Sequence, residues 1–353
     1  MRILFYISTI RGGGAARVMV NIANEMHVAG NEICFVTNFP ADHEYALKEG
    51  IKRISLEYVE NKGGTIQKNV SRIRSLRKVI VAERPDVCIS FMRENNFRLL
   101  FASKGLKTKT IVSVRNDPEK EYPSTFSKML AKILYRKADC VVFQTEDAKA
   151  FFPISVQKNA RIIFNQVDEK FFCENDVDGD YIVACGRLSK QKNYSMMIMA
   201  FATVLQKYPD EVRRIYGEGD LKTELQNLTV ELGIQDSVKF MGFSTDMVAA
   251  YSRAKFFVMT SDYEGMPNAL LEALASSVPV ISTDCPCGGP RMIIRNGENG
   301  FLIPVDDKDA LAEKMVELLK VDRHTFKQSA HNSAETYSPI HVFDQWMDAV
   351  KSV

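Results

Sequence analysis

Apolar runs and amphipathic stretches alternate along almost the whole chain. ILFYIS (3–8), EICFVT (32–37), VCISF (87–91), TIVSV (110–114), CVVFQT (140–145) and RIIFN (161–165) are continuous apolar runs. Continuity rather than alternation predicts strands buried on both faces, hence a parallel sheet. ARVMVNIANEMHVAG and TIQKNVSRIRSLRKVIVAE between them carry helical spacing. At YIVACG (181–186) the pattern starts again, through RRIYGEG, VKFMGF, KFFVMTS, VPVIST and FLIPV. The repetition predicts an α/β fold of two Rossmann-like, doubly wound parallel-sheet domains, about 1–172 and 173–337. Between them ENDVDGD (174–180) reads as a solvated linker. Its alternating Asp176, Asp178 and Asp180 lack the glycine and glutamate positions of a calcium loop.

Two stretches are both amphipathic and basic. In 65–82, Ile66, Val70, Ile73, Leu76 and Ile80 recur at helical spacing among Lys68, Arg72, Arg74, Arg77 and Lys78. In 124–137, Phe126, Leu130, Ile133 and Leu134 share a face, with Lys128, Lys132, Arg136 and Lys137 elsewhere. Each fits an ordinary helix lying on a sheet. Each also fits a basic face meeting anionic lipid or a lipid-linked pyrophosphate.

A chain of 353 residues suits two domains and is long for one core. The net charge of +2 hides an asymmetry. Residues 1–170 hold 28 Lys and Arg against 18 Asp and Glu, and the rest hold 18 against 26. A basic first half predicts an anionic partner, such as a membrane surface or phosphorylated substrate. Nucleic acid is not expected, since no recognition motif accompanies the charge. Seven scattered cysteines lack framework spacing, which predicts a reducing, cytoplasmic setting. Cys285 and Cys287 form only C-x-C and read as loop cysteines rather than metal ligands. MRILFYISTI reads as a buried first strand, not a signal peptide. No run reaches the roughly 18–20 apolar residues of a membrane span.

Four stretches carry candidate chemistry. STIRGGGAARVMVNIANEM (8–26) runs from a strand into three glycines and a helix, a place for close ligand approach or simply a tight turn. It is neither G-x-G-x-x-G nor a P-loop, which disfavours an NAD-dependent oxidoreductase. GRLSKQKNYSMMIMAF (186–201) sets Arg187 and Lys192 past the strand that ends at Gly186, where two cations suit a diphosphate. RIYGEGDLKTELQNL (214–228) places Gly217-Glu218-Gly219 before a helix with Asp220 in its first turn, a close-packed turn or a nucleotide border. SDYEGMPNALLEALASS (261–277) places Pro267 at the first position of a helix on which Leu270, Leu271, Leu274 and Ala275 pack. The dipole and N–H groups of that helix end suit a phosphate. Glu264 lies beyond it and Glu272 lies about 7 Å along the helix. A carboxylate beside bound pyrophosphate would repel it. Both glutamates are therefore expected to take hydrogen bonds from sugar hydroxyls, one on the ribose and one on the transferred sugar.

The set G-G-G-A-x-R, GRLSKQKN, YGEGDL and the E-x7-E of SDYEGMPNALLEALA resembles the family-4 retaining glycosyltransferases over essentially the whole chain. That resemblance implies the GT-B fold, in which two Rossmann-like domains face each other across a cleft. The N-terminal domain binds the acceptor and the C-terminal domain binds the nucleotide-sugar donor. A last helix, about 338–353 here and containing HVFDQWMDAV, crosses back to the first domain. It implies that Arg187 and Lys192 bind the donor diphosphate, Glu272 the ribose and Glu264 the transferred sugar. The backbone of Gly265, Met266, Pro267 and Asn268 would touch sugar and phosphate. Gly13 and Gly14 would lie against the donor, and Met241 to Phe243 would border the base. No metal or other cofactor is implied.

Many such enzymes carry a histidine after the fourth N-terminal strand. SVRNDPEKE stands there in this chain, with Arg115, Asn116 and Asp117 as acceptor-side candidates. Many also carry a glutamate after Gly-Gly-Pro, where this chain has Arg291 and Met292. SVRNDP and DCPCGGP resemble bacterial enzymes that build capsular or surface polysaccharide on a lipid carrier. The implied reaction moves a hexosyl unit from a nucleoside diphosphate sugar, UDP ahead of GDP, to a saccharide or polyprenyl-pyrophosphate-linked acceptor. It would run on the cytoplasmic side, with the enzyme peripheral on the membrane. Cations and helix N–H groups would stabilise the leaving diphosphate. The family expectation is a same-face displacement, with no carboxylate nucleophile. A UDP-sugar 2-epimerase of the same fold and a non-catalytic GT-B partner subunit are the rival readings.

Overall fold

The computed structural model describes residues 1–40, 42–56, 65–173, 179–321 and 324–353. Residues 174–178 of the ENDVDGD stretch lie outside the described residues. The chain divides into two compact units, Met1–Gln166 with Ile340–Val353, and Val167–Pro339.

In the first unit the strands are β1 (Arg2–Ile7), β2 (Glu32–Thr37), β3 (Lys52–Ser55), β4 (Val87–Phe91), β5 (Lys109–Ser113), β6 (Cys140–Phe143) and β7 (Ala160–Ile162). They form one parallel sheet in the order β3-β2-β1-β4-β5-β6-β7. The order reverses between β1 and β4, which opens a crevice at their carboxyl ends. Hydropathy does not predict β3. KRIS has one large apolar residue, Ile54, because an edge strand need not be buried on both faces.

Ile3, Phe5 and Ile7 face one core with the helix Gly14–Val28 and with Val342 and Trp346 of the last helix, Pro339–Lys351. Trp346 is fully buried and tilts against Phe91 at 5.5 Å. Right-handed crossovers put the helices Thr65–Glu83, Arg93–Ala102 and Thr125–Leu134 on the opposite face, packed side by side. The expected apolar faces of two of them are only partly covered. In Thr65–Glu83, Leu76 and Ile80 are buried while Ile66 and Val70 are exposed. In Thr125–Leu134 the sector that meets the core is Ala131 and Leu134, so Phe126 and Ile133 face outward with Met129. Ile133, about 100° round the helix from Leu134, falls on the outward side here.

In the second unit the strands are β8 (Tyr181–Cys185), β9 (Arg213–Tyr216), β10 (Val238–Gly242), β11 (Ala254–Met259), β12 (Val280–Thr283) and β13 (Gly300–Ile303). Their order is β10-β9-β8-β11-β12-β13, all parallel, with the switch point between β8 and β11. These are the six runs that hydropathy picks out. The helix Tyr194–Leu205 supplies Met197, Ile198, Phe201 and Val204 to the core.

One residue breaks the apolar rule. Arg213 opens β9 and is fully buried. Its guanidinium lies 4.8 Å from the Phe201 ring centre and donates to the Met315 sulfur at 3.3 Å. Nε and Nη1 have no hydrogen-bond partner among the described residues. Burial pushes this group down to about 9, and Tyr194 opposes that only weakly. An apolar side chain of similar length loses no hydrogen bond to oxygen or nitrogen and removes a poorly solvated charge. Arg213→Met is therefore expected to raise the melting temperature by roughly 5 °C in differential scanning calorimetry.

Candidate functional site

The candidate donor site is built on backbone contact. A Cβ on Gly217, which follows β9 at φ +133°, would lie 2.0 Å from the Gly186 carbonyl oxygen. The Gly217 N–H donates to the Gly242 carbonyl at 2.8 Å. The carboxyl ends of β8, β9 and β10 thus touch main chain to main chain. A Cβ on Gly289 would lie 1.7 Å from the Gly265 carbonyl, so the loop after β11 rests directly on the helix Gly289–Ile293.

These contacts hold two loops side by side. After Gly186 come exposed Arg187 and fully buried Leu188, which anchors the turn. Lys190–Lys192 form one 3-10 turn, and Asn193 adopts φ +43°. Asn193 caps the next helix by accepting the Met196 N–H at 3.3 Å and donates to Asp262 at 3.0 Å. Thr260 Oγ1 is 2.9 Å from the carbonyl oxygens of both Lys192 and Asn193, and Gln191 donates to the Tyr263 carbonyl at 2.8 Å. Glu264 is fixed through its backbone. Its N–H donates to the Pro286 carbonyl at 2.6 Å, and its carbonyl accepts from Cys287 at 2.9 Å.

The outcome is an ion pair, Lys192 Nζ to Glu264 Oε1 at 2.6 Å, with Glu264 only 8% exposed. Arg187, by contrast, has no side-chain partner among the described residues. Buried Tyr194 keeps its proton: burial, then Cys185 and Glu264, hold its phenol well above the ordinary value. Burial and Glu264 push the Cys285 thiol up to about 12, so it is no nucleophile at neutral pH.

Two local expectations are corrected. Pro267 holds the cap position, not the first helical one, because its ψ of 110° is extended; the helix is Asn268–Ala275. Asp220 precedes the helix Lys222–Glu231, and Leu221 takes the cap position. Glu272 is buried on the helix Asn268–Ala275, and Gly265 and Met266 are buried before it. Met241 and Phe243 are exposed beside Gly242 at the end of the edge strand. Met241 also lines a cavity of about 540 Å³ along that edge, with Arg214, Lys239 and Phe240.

In the first unit Gly13 caps the helix Gly14–Val28 at φ +84°, and both Gly13 and Gly14 are exposed. Arg115 follows β5. Its guanidinium lies 4.3 Å over the Phe91 ring and donates to Ser113 Oγ at 3.4 Å and to Asn165 Oδ1. Asn165 Oδ1 also accepts from Gln144 at 2.7 Å. Burial pulls the Arg115 guanidinium down to about 9, against the pull of Glu121. Asn116 accepts from the Asp117 N–H, and Asp117 caps the helix Pro118–Glu121.

Glu121 was not a candidate, because in NDPEKE it reads as a surface charge on a short helix. Its Oε1 accepts the Arg93 N–H at 2.6 Å, and its carbonyl accepts the Arg93 guanidinium at 2.7 Å. Oε2 is buried without a hydrogen-bond partner among the described residues. Burial raises this carboxyl to about 7 against the opposing bonds from Arg93 and Arg115. Among the described residues no group of three His, Cys, Asp or Glu is placed to hold a metal ion.

Two doubly wound units define the class as a two-domain α/β protein with ligand crevices at the carboxyl ends of its strands. A family profile described as "Glycosyl transferases group 1" matches residues 166–333, and one described as "Glycosyltransferase Family 4" matches residues 12–171. The chain belongs to the glycosyltransferases of the GT-B fold. It is 27% identical over 362 residues to a Campylobacter jejuni protein described as GalNAc-alpha-(1->4)-GalNAc-alpha-(1->3)-diNAcBac-PP-undecaprenol alpha-1,4-N-acetyl-D-galactosaminyltransferase, covering 100% of this chain and 99% of that one. It is 29% identical over 266 residues to a second protein of that organism, an N-acetylgalactosamine-N,N'-diacetylbacillosaminyl-diphospho-undecaprenol 4-alpha-N-acetylgalactosaminyltransferase, covering 71% and 72%. The crystal structure of Anabaena HepE with UDP and glucose has a TM-score of 0.82 at 17% identity, over 99% of each chain.

The raised carboxyl of Glu121 makes a pH prediction. The folded chain binds this proton more tightly than the unfolded chain, whose carboxyl has the ordinary value of 4.5. Stability from this group is therefore present below pH 4.5 and lost as pH rises to about 7. Glu121→Gln is expected to remove on the order of 2–3 kcal/mol of that slope, read as the difference between variant and parent melting curves from pH 4.5 to 8.

Proposed function

We propose that the chain is a retaining hexosyltransferase of family 4 that takes its sugar from a UDP-sugar and passes it to a lipid-linked saccharide. The work is done on the cytoplasmic face of the membrane that carries the acceptor. The observation that carries this reading is the Lys192–Glu264 pair beside unpartnered Arg187, at the carboxyl ends of β8 and β11. Support for the substrates comes from the undecaprenol-linked acceptors named for the Campylobacter proteins and the UDP named in the HepE complex. Among the described residues no helix is long and apolar enough to cross a membrane.

In this reading Arg187 and Lys192 bind the diphosphate of the donor. The amino end of the helix Asn268–Ala275, with the Gly265–Pro267 backbone before it, faces the same anion. Glu264 takes hydroxyls of the transferred sugar, and Glu272 takes the ribose. Met241 and Phe243 border the base, with Gly186 and Gly217 beside it. In the first unit, Gly13 and Gly14 after β1 and Arg115 and Asn116 after β5 are the remaining candidates. When the donor binds, Lys192 is shared between the carboxylate and the phosphate. Charge grows on the phosphate as the sugar leaves, so the cations bind the transition state more strongly than the ground state. The leaving phosphate takes the acceptor proton on the face from which it departs.

The test combines a panel of UDP-sugars and GDP-sugars with the variants Lys192→Ala and Glu264→Gln. Lys192→Ala is expected to lower kcat by about 10²-fold or more. Glu264→Gln is expected to lower kcat while leaving UDP affinity within about threefold. Wild-type turnover by Glu264→Gln would remove this site from the chemistry. Proton NMR of the first product is expected to show the anomeric configuration of the donor; an inverted product defeats the retaining mechanism. Donor turnover without acceptor would point to an epimerase instead.

A further inference from the structure

The helix Arg93–Ala102 begins without a cap of its own. Its cap residue, Met92, is exposed just past β4 with φ +73° and ψ 146°, and its side chain makes no capping bond. A residue with a Cβ rarely takes that backbone conformation, and such strain persists where the surroundings hold it. Three bonds surround it here. The Met92 N–H donates to the Ser113 carbonyl at 3.1 Å, and the Met92 carbonyl accepts from the Asn96 N–H at 2.9 Å. The next N–H, that of Arg93, donates to Glu121 Oε1 at 2.6 Å. The carboxylate that a helix start favours thus comes from 28 residues further along the chain.

The same carboxyl reaches a second loop. Arg115, after β5, adds a backbone hydrogen bond to it. One side chain therefore ties the helix start after β4 to the loop after β5, and these two strands are neighbours in the sheet. What the tie places is Arg115, whose guanidinium lies 4.3 Å over Phe91, the last residue of β4. The groups that act on the carboxyl are few. Arg93 and Arg115 favour its charge, while Tyr122 and Tyr135 lie close enough for that charge to raise their phenols. On its own short helix Asp117 is the cap, and Glu119 pairs with Lys128 of the helix Thr125–Leu134. Burial, above all, keeps both phenols protonated, and Arg115, at about 9, stays charged at neutral pH. Burial brings Glu121, at about 7, into the neutral range.

We propose that Glu121 is a positioning residue of the acceptor side: its carboxylate draws together the loops after β4 and β5 and so fixes Arg115 over Phe91. A charged oxygen holds N–H groups more strongly than a neutral one. Ionised, Glu121 holds both loops. With a proton it keeps a weaker hold, as an amide in the same place does. The charge that costs stability as pH rises is the charge that orders the two loops. The use of this tie by the acceptor rests on the reading of Arg115 given above; the tie itself does not.

Two measurements on the full chain separate the tie from its use. Residue-resolved hydrogen–deuterium exchange needs no substrate. At pH 8 the Arg93 and Arg115 amides of Glu121→Ala are expected to exchange about tenfold faster than in the parent, and those of Glu121→Gln by an intermediate factor. At pH 6 the parent and Glu121→Gln should converge. Kinetics then use the UDP-sugar that the donor panel selects, with a polyprenyl-diphosphate-linked N-acetylgalactosamine as the acceptor probe. From pH 8 to pH 6 the parent's KM for this probe is expected to rise roughly fivefold as the ionised fraction falls, with the donor KM unchanged. Glu121→Gln should show the parent's pH 6 value at both pH values, and Glu121→Ala should exceed it. Should Glu121→Ala not fold, Glu121→Gln carries both comparisons. Parent-level exchange at Arg93 and Arg115 in the variants overturns the tie. Equal rises in donor and acceptor KM overturn the acceptor-side role. If no UDP-sugar is transferred to the probe, the transferase reading fails for that acceptor, and the exchange result still decides whether Glu121 holds the loops.

Discussion

The candidate site depends on three places where main chain meets main chain with no room for a side chain. Gly217 lies against the Gly186 carbonyl, Gly219 against Leu188, and Gly289 against the Gly265 carbonyl. A Cβ at any of these would come within 2.3 Å of backbone, and backbone cannot rotate away as a side chain can. Close approach draws the loops after β8, β9, β11 and β12 into one cluster. The hydrogen bonds from Thr260, Gln191 and Asn193 then fix their register. The 2.6 Å contact between Lys192 and Glu264 follows from that register.

The ion pair in turn limits what each partner can do. Nearly buried Glu264 has Lys192 as its counter-charge. A lone Lys192 would hold a phosphate tightly in ground state and transition state alike. Tethered to Glu264, its charge is shared, and the share drawn to phosphate can rise as the leaving group becomes more negative. In the proposed function this would be differential binding by two side chains. Arg187 has no such tether among the described residues, and so it suits recognition of the diphosphate rather than modulation of its charge.

Much of this was legible in the sequence because its signals are local. Continuous apolar runs mark strands buried on both faces, as in β1, β4, β8, β11 and β12. β3 shows none, because an edge strand with a half-buried face needs only Ile54. The glycines and the E-x7-E spacing announce loops that approach a ligand. Spacing could not show that Lys192 and Glu264 pair, since 72 residues separate them. Nor could it find Glu121 or Arg213. A charged letter in NDPEKE or EVRRIY reads as solvated, and only tertiary packing reveals a carboxyl raised to about 7 and a guanidinium in an apolar core. The helix 124–137 is the reverse case. Its amphipathic pattern was visible, but which apolar residues the core leaves over is decided by where Ala131 and Leu134 land.

The direction of the parallel strands sorts these buried and basic groups by what they can touch. The guanidinium groups of half-buried Arg115 and fully buried Arg213 are both lowered to about 9, yet they lie at opposite ends of their strands. Arg115 follows the carboxyl end of β5, where loops converge and a ligand can reach. Arg213 opens β9 from its amino end, enclosed by Phe201 and Met315, and can contribute to stability alone. The same polarity separates Arg115 from a cavity of about 370 Å³ lined by Lys104, Lys107, Lys109 and Lys137. Both belong to the first unit, but the cavity borders the amino end of β5 and Arg115 follows its carboxyl end. The helix Thr125–Leu134 returns the chain from the carboxyl end of β5 to the amino end of β6, so its outward stripe runs from one edge toward the other.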